Sequence, residues 1–333
     1  MAKTPDDRGA LAHTELQLDW DADQLTPSWP SGPDTAFVLL RTATVASDVT
    51  AAGAPRRVLE VAAAEAVHAC RLSAQGIACV VLEPSTAMLA KARQRIDAQG
   101  AAVVLVRGVA ETLPFADASF DRVLIDSAID HLGHPELSLR EMTRVLRPDG
   151  RLVITFVNYG GLSARLSRAA YRLARGAGLV AARRHLPWDS PVPIEHTFEC
   201  TLPVLTRLCR PGLELEHAFG MSIGWLLPGW GAVLARLGPA RANAIVQRLD
   251  RLAQRWPRGA DLVVSVWRPS PSPRRAAPAR GADPVRCDEI VYTWKRRAEA
   301  AYWAAPAAGA GVAALARAAD DSGSAAWLDD LRR

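Results

Sequence analysis

Between residues 56 and 157, short apolar runs alternate with segments of helical pattern, and this alternation constrains the fold more than any other feature. The runs are nearly continuous in valine, isoleucine and leucine, which is typical of parallel strands that are covered on both faces. Helices between such strands imply right-handed crossovers in a doubly wound sheet. We therefore predict an α/β, Rossmann-like fold with strands at 56–62, 77–84, 101–108, 119–128 and 151–158, and helices at 66–76, 85–100 and 136–150.

Two residues define the second of these helices. Ser85 is a good N-cap, because its hydroxyl can accept a hydrogen bond from a free N–H of the first turn. Gly100 suits the left-handed position that follows a helix. The third helix ends in a Pro-Asp-Gly turn at 148–150.

The rest of the chain is less regular and divides into several parts. We expect an N-terminal arm and helix at 1–55, with the helix at 36–53, and a main domain at 56–268 with cap insertions at 158–200 and 222–260. Inside the domain we predict helices at 161–184 and 201–212, a strand at 213–222, two helices broken at Gly238–Pro239, and a last strand at 260–269. A Pro/Arg/Ser-rich linker at 269–286 and a helical tail at 287–333 follow.

Composition indicates a globular protein rather than a disordered one. The 333 residues are 49% hydrophobic and 23% charged, and the net charge is +5. That charge favours acidic partners only mildly, and no basic stripe interleaved with aromatic residues points to nucleic acid. The five cysteines are scattered and form no C-x-x-C pair, so we expect reduced thiols and no metal site. No secretory or membrane-spanning pattern is evident, and we expect a cytoplasmic protein.

Acidic and histidine side chains follow the predicted strands at the edge where open α/β sheets bind ligands. Glu60 closes the first strand and Glu83 the second. Because the two oxygens of a carboxylate match a vicinal diol, Glu83 is suited to a ribose. The loop at 107–121 and the segment at 124–135 follow the third and fourth strands and complete a candidate nucleotide site.

These segments, in this order, resemble the class I S-adenosylmethionine-dependent methyltransferases, and most closely their small-molecule and quinone-methylase branch. The resemblance is carried by "VVLEPSTAMLAKAR", "AETLPFADASFDRV" and "LREMTRVLRPDGRLVI". It covers 56–157 well and extends loosely to 268. It implies a seven-stranded sheet with a reversed final strand, a bound S-adenosylmethionine, and methyl transfer.

The resemblance also implies roles for single residues. Glu60 stands where the family has an acid that helps hold the methionine ammonium, and Glu83, followed by Pro84, matches the ribose acid. Asp126 would lie at the floor near the methionine moiety. The adenine would be bordered by Val109, Ala110 and Glu111, with Val109 at a position that is often aspartate in the family.

One departure from the family lies in the turn after Glu60. The family pattern places glycine at Ala62, Ala64 and Ala66. Glycine permits positive φ and a close approach of backbone to ligand, so we predict impaired cofactor binding. Alanine also favours helix, so the next helix could start earlier and fill the pocket. The alanines are explained equally by natural drift in an alanine-rich chain and by a block substitution made to abolish cofactor binding.

His131 is a candidate general base, since imidazole titrates near neutrality. The alternative is that His131 packs or caps near the fourth strand. Methyl transfer is a displacement that positioning can accelerate without a base, so the prediction of the reaction does not depend on this histidine.

The acceptor is predicted to be a small molecule, hydrophobic and either lipidic or polycyclic. The apolar segment 221–237 is interpreted as a lid, as a patch that rests on a membrane, or as ordinary core. A tail helix at 287–303, with Ile290 and Trp294 on one face, is a candidate site for a protein partner. The alternative function is a non-catalytic scaffold with the methyltransferase fold.

Overall fold

The computed structural model describes residues 32–132, 134–179, 198–210 and 212–271. In these ranges the strands are β1 (Arg57–Val61), β2 (Ala78–Glu83), β3 (Val103–Arg107), β4 (Phe120–Asp126), β5 (Leu146–Val157), β6 (Leu213–Met221) and β7 (Leu262–Pro269). The helices are α1 (Pro33–Ala51), α2 (Val67–Ser73), α3 (Thr86–Gln99), α4 (Pro135–Val145), α5 (Leu162–Gly176), α6 (Leu202–Cys209), α7 (Trp230–Arg236) and α8 (Pro239–Arg255).

All seven strands form one sheet in the order β3-β2-β1-β4-β5-β7-β6. The strands from β1 to β5 are parallel, whereas β7 is antiparallel to both β5 and β6. The order reverses at β1, from which the chain winds first toward β3 and then toward β6. The predicted doubly wound sheet with a reversed final strand is confirmed.

Apolar side chains of β1 enter both faces of the sheet because successive residues of a strand point to opposite sides. Leu59 and Val61 join the large cluster with Phe120, whereas Val58 packs with Leu72 on the α2 side. The strand is buried on both faces, as its continuous apolar sequence predicts. The sheet is therefore a rigid base for the loops at its carboxyl edge.

The ends of α3 follow the sequence prediction. Ser85 Oγ accepts a hydrogen bond from the Met88 N–H at 3.2 Å, and Gly100 is left-handed with φ of 60°. Gly238 and Pro239 separate α7 from α8 as expected. The helix predicted at 36–53 is α1, and its bounds move by a few residues.

One boundary was predicted wrongly. The Pro-Asp-Gly segment at 148–150 was expected to end α4 as a turn, but α4 ends at Val145 and β5 begins at Leu146. A register shift between Phe120 and Arg122 accommodates the extra residues. The proline lies in this irregular start of the strand, where a missing N–H is tolerated.

Several predictions fall outside the described ranges. They concern the arm before residue 32, the last five residues of the helix predicted at 161–184, the linker, and the tail with its helix at 287–303. Helix α5 ends at Gly176, with Ala177 as its C-cap, and is therefore shorter than predicted. The division into domains stays a prediction.

None of the helices in the described residues combines the length and the apolar character needed to cross a membrane. Nor do these residues include a group of three or more His, Cys, Asp or Glu side chains placed to hold a metal ion.

Candidate functional site

The turn that joins β1 to α2 has the backbone shape of a glycine turn although it is built from alanine. Ala62, Ala64 and Ala66 have φ of 51°, 45° and 57°. Each therefore occupies the left-handed region, which costs an alanine about 1 kcal/mol. The helix does not begin early to avoid this cost, because α2 starts at Val67 with Ala66 as its left-handed N-cap.

The three alanines have different surroundings. Ala66 is 0% exposed and packs in the cluster with Ala63, Ala69 and Cys70. Ala62 and Ala64 are only partly buried. The methyl of Ala66 is thus part of the core and Ala62 packs against the large cluster, whereas Ala64 is partly exposed.

Glu83 supports this turn from the end of β2. One carboxylate oxygen accepts a hydrogen bond from the Ala64 N–H at 2.8 Å, and the other accepts one from the Ser85 N–H at 3.0 Å. Burial raises the pKa of the Glu83 carboxyl, although these two N–H groups oppose the change. Pro84 follows, and its carbonyl accepts a hydrogen bond from Arg107 Nε at 3.1 Å.

Glu60 lies under the turn and points toward α2. Its carboxylate accepts a hydrogen bond from the Ala69 N–H at 2.7 Å, and the residue is 2% exposed. Burial raises its pKa to about 7, although the charge of His68 opposes the change. This carboxyl holds the first turn of α2 and is almost closed to solvent.

Asp126, at the end of β4, is the most connected carboxylate at this edge. Asp126 Oδ2 lies 3.0 Å from His68 Nε2, and His68 Nδ1 lies 3.0 Å from Ser47 Oγ on α1. Thr155 Oγ1 donates to the other oxygen, and the Ser127 N–H donates to Thr155 Oγ1 at 2.8 Å. The network joins α1, α2, β4 and β5 beneath the carboxyl edge.

The charges in this network stabilise each other. Burial alone would lower the pKa of His68, but the charge of Asp126 and their hydrogen bond raise it to about 9. Burial would raise the pKa of Asp126, but His68 and the hydroxyls of Thr155 and Ser127 hold it below its usual value. An imidazolium and a carboxylate therefore face each other at neutral pH. The Asp126 side chain is 29% exposed and that of His68 4%, so the carboxylate is the member that a ligand can reach.

The loop after β3 carries Val109, Ala110 and Glu111. Ala110 is 4% exposed and Glu111 is 8% exposed. Glu111 Oε1 accepts a hydrogen bond from the His134 N–H at 3.3 Å. Glu111 is therefore a buried link between this loop and the start of α4 rather than a solvated charge.

Arg144 of α4 fixes the same loop. Its guanidinium donates to the carbonyls of Leu113 and Phe115 at 3.0 and 2.8 Å, and to Asp117 at 2.8 Å. The remaining donors bind Glu141, which in turn accepts the Leu113 N–H at 3.0 Å. All five N–H donors of the guanidinium are thus used.

Comparison with known proteins agrees with this geometry. The sequence pattern of a family described as "Methyltransferase domain" matches residues 59–154. The demethylmenaquinone methyltransferase of Mycobacterium sp. (strain KMS) is 44% identical over 98 residues, which cover 29% of this chain and 40% of that protein. The enzyme of that name from Mycolicibacterium paratuberculosis is 40% identical over 102 residues, which cover 31% and 42%.

The matched residues include the end of β1, the alanine turn, Glu83 and Asp126. Over these residues the chain has the sequence of a methyltransferase domain. The chain spans about two fifths of the length of the curated relatives it matches. Among solved structures, the putative methyltransferase in complex with the Trm112 activator of Haloferax volcanii has a TM-score of 0.47 at 17% identity, over 70% of this chain and 92% of that one.

The family implies S-adenosylmethionine, and the methyltransferase domain fits this cofactor in most respects. The turn keeps the backbone shape of the glycine turn, Glu83 stands at the end of β2, and the exposed part of Asp126 faces the same edge. The departure is that alanines, not glycines, occupy the left-handed positions 62, 64 and 66. The described residues thus retain the backbone outline of the cofactor site.

His131 lies in a single 3-10 turn, Ile129–His131, just after β4 of the methyltransferase domain. Its N–H donates to the Ala128 carbonyl at 3.0 Å, and the residue is partly buried. This bond belongs to the turn itself, so the catalytic role and the packing or capping alternative both stay predictions.

Sequence reasoning missed four residues that organise the site: Ser47, His68, Arg144 and Thr155. The signal for His68 was its position two residues after a turn that ends in Ala66, which places it in the first turn of α2. Ser47 carried no signal, since it comes from α1, outside the recognised pattern.

Proposed function

We propose that this chain transfers a methyl group from S-adenosylmethionine to a small hydrophobic acceptor of the quinone type. The observation that supports this most is the pair of carboxylates at the ends of β2 and β4, Glu83 and Asp126, on either side of a turn with glycine-like backbone. Its relatives named as demethylmenaquinone methyltransferases suggest the acceptor class. Four free, buried cysteines among the described residues are consistent with a reducing, cytoplasmic setting.

The residues of the site have distinct roles in this proposal. Glu83 would accept hydrogen bonds from the two ribose hydroxyls while it keeps its bonds to the turn. Asp126, rather than the almost inaccessible Glu60, would face the ammonium of the methionine part. The loop at 109–111 would border the adenine. Bound S-adenosylmethionine would supply a methyl group on a positively charged sulfur.

The residues around the acceptor would act by position and by exclusion of water. Placing the nucleophilic atom in line with the methyl group supplies much of the rate in a displacement of this kind. The anionic Asp126, held by His68 and Thr155, adds a negative charge near the cationic centre without a change in its own protonation. His131 is proposed as an auxiliary base only for acceptors that must lose a proton.

The alanine turn is proposed to weaken cofactor binding. The methyl groups of Ala62 and Ala64 would take space at the edge, and each unfavourable contact of about 1.4 kcal/mol would lower affinity tenfold. The chain would then act slowly, or serve as the non-catalytic scaffold that we retain as the alternative. The alanine turn is the observation that favours this alternative.

One pair of measurements tests these proposals. Titration calorimetry with S-adenosylmethionine compares the chain with its Ala62→Gly/Ala64→Gly variant, and methyl transfer to demethylmenaquinone is assayed for both. We expect weak binding by the parent and a gain of at least tenfold in the variant, with activity that follows affinity. Low-micromolar binding by the parent would contradict the impairment. Tight binding by the variant without methyl transfer to any quinone would favour the scaffold.

A further inference from the structure

Helix α5 carries an apolar stripe that does not face the protein. Leu166 and Leu173 are 50% and 75% exposed, and Ala169 and Ala170, on the same side of the helix, are exposed as well. The residues that α5 buries are instead small: Ser163, Ala164 and Ser167. An ordinary surface helix buries its apolar stripe and exposes its polar one, and α5 does the opposite.

A row of arginines runs beside this stripe. Arg165, Arg172 and Arg175 are exposed, and no acidic residue occurs between 162 and 179. Arg168 belongs to the same row but is turned toward the domain, where its guanidinium lies 5.9 Å from the centre of the Tyr159 ring and 3.4 Å from Glu199. The exposed surface of α5 is therefore both apolar and strongly cationic.

The position of α5 adds to the argument. The helix begins at Leu162, five residues after β5 ends at Val157, on the edge of the sheet where Asp126 lies. Ser167 Oγ donates to the Leu226 carbonyl at 2.6 Å, and Gly224 N–H donates to Ser163 Oγ at 2.8 Å. These bonds hold the small face of α5 to the domain and leave the leucines outward.

We propose that α5 is the surface by which this domain docks on a membrane rich in anionic lipid. A helix with leucines on one face and arginines beside them lies in the interface plane, with its apolar face in the acyl region and its cations among the headgroups. The segment 221–237, considered for this role from sequence, is divided: Met221, Ile223 and Leu226 are buried, whereas Val233 and Leu237 are 45% and 38% exposed.

The chain's own tail complements the charge of α5 less well than an anionic membrane does. The tail at 287–333 contains six basic and seven acidic residues, and so offers little net negative charge to the arginine row. An anionic bilayer complements both the leucines and the arginines. This docking goes beyond methyl transfer and does not depend on it, although it would bring the edge of the site to the phase in which a lipidic acceptor dissolves.

Vesicle flotation tests the proposal with the full-length chain and no cofactor. The vesicles contain either phosphatidylcholine alone or equal parts of phosphatidylcholine and phosphatidylglycerol. We expect binding to the anionic vesicles that falls as salt is raised. The Leu166→Gln/Leu173→Gln variant should bind at least roughly tenfold more weakly, since two buried leucines contribute strongly to partition. Arg165→Gln/Arg172→Gln should lose the preference for anionic lipid.

The matched control is Leu39→Gln/Leu40→Gln on α1, where the leucines are 55% and 66% exposed but only one basic residue, Arg41, occurs in the helix. Its vesicle binding should equal that of the parent. The proposal is overturned if the parent binds neither kind of vesicle. It is equally overturned if the α1 variant loses as much binding as the Leu166→Gln/Leu173→Gln variant. It is also overturned if, in sedimentation without lipid, the parent is a dimer and the Leu166→Gln/Leu173→Gln variant is a monomer. Circular dichroism of each variant confirms folding, and failure of methyl transfer leaves these outcomes unaffected.

Discussion

His68 Nε2 lies 3.0 Å from Asp126 Oδ2, and this contact joins the first turn of α2 to the end of β4. The same imidazole reaches Ser47 on α1 at 3.0 Å. A helix that precedes the recognised domain in sequence is thereby tied to the centre of the proposed cofactor site. Because both oxygens of the Asp126 carboxylate are held by hydrogen bonds, its direction is fixed before any ligand arrives.

The first prediction concerns the pH dependence of this pair. The pKa of His68 is raised to about 9 from its ordinary 6.5, so the pair contributes stability fully below 6.5 and loses it as pH rises through 9. Asp126→Asn should lower the free energy of unfolding by about 2–3 kcal/mol near pH 6.5, since a buried charge loses its partner. The deficit should shrink toward pH 9. Urea unfolding at the two pH values measures it.

Other charges near His68 must be separated from this effect. Glu60 has a pKa raised to about 7, so it too makes the fold less stable as pH rises, and Arg71 disfavours the charged imidazole. Glu60 and Arg71 both remain in Asp126→Asn. The difference in unfolding free energy between the parent and this variant therefore reports mainly the His68–Asp126 pair. His68→Gln should show a similar shrinking deficit. A deficit of constant size across this range would mean that the imidazole is neutral in the parent.

The second prediction separates the alanines of the turn. Ala64→Gly relieves a left-handed alanine whose methyl is partly exposed, and should leave stability equal or improved by about 0.5 kcal/mol. Ala66→Gly relieves the same strain but removes a methyl that is 0% exposed. It should therefore be about 1 kcal/mol less stable than Ala64→Gly, the usual value of a buried methyl or methylene. Urea unfolding compares them, and equal stabilities would show that the Ala66 methyl adds nothing to the core.

The third prediction concerns Arg144, whose five donors hold the loop at 113–117 and Glu141. Lysine keeps the charge but has three donors and no planar fork. Arg144→Lys should therefore lower the free energy of unfolding by about 1–2 kcal/mol, since charged hydrogen bonds are lost. The Leu113 amide should exchange its hydrogen faster. Arg140→Lys, at an exposed position of the same helix, should change neither.

The sequence predicted the sheet well because each strand is a local apolar run and each crossover helix is a local pattern. β1 and β2 differ from the predicted bounds by one residue at each end. The start of β5 failed because Pro148 and Gly150 are ordinary turn residues, and only pairing with β4 keeps them extended. Tertiary contact there overrides local preference.

Part of the site follows from the order of the strands. Glu83 and Ala64 lie 19 residues apart in sequence, at the ends of adjacent strands, and the structure places them in direct contact through the Ala64 N–H. Glu60 was assigned toward the ligand from its sequence position, whereas the side chain is buried under α2. Its direction depends on the packing of α2, which periodicity does not reveal. The His68–Asp126–Ser47 network joins three distant segments and could not be read from any one of them.

The last prediction concerns Asp261, which binds Ser222 and Trp225 beside β7. Its Oδ2 accepts hydrogen bonds from Ser222 Oγ at 3.1 Å and from the Trp225 N–H at 2.8 Å, and the residue is 0% exposed. Burial raises its pKa to about 6, although these partners oppose the change. Asp261→Ala should lower the free energy of unfolding by about 2 kcal/mol, because two buried donors lose their acceptor, and exchange at the Trp225 amide should quicken. Asp261→Asn keeps one acceptor and should cost less.

Because a raised acidic pKa makes ionisation of Asp261 unfavourable to the fold, the parent should lose stability relative to Asp261→Asn as pH rises through about 6. A parent that instead gains on the asparagine variant over that range would show that the Ser222 and Trp225 bonds outweigh burial.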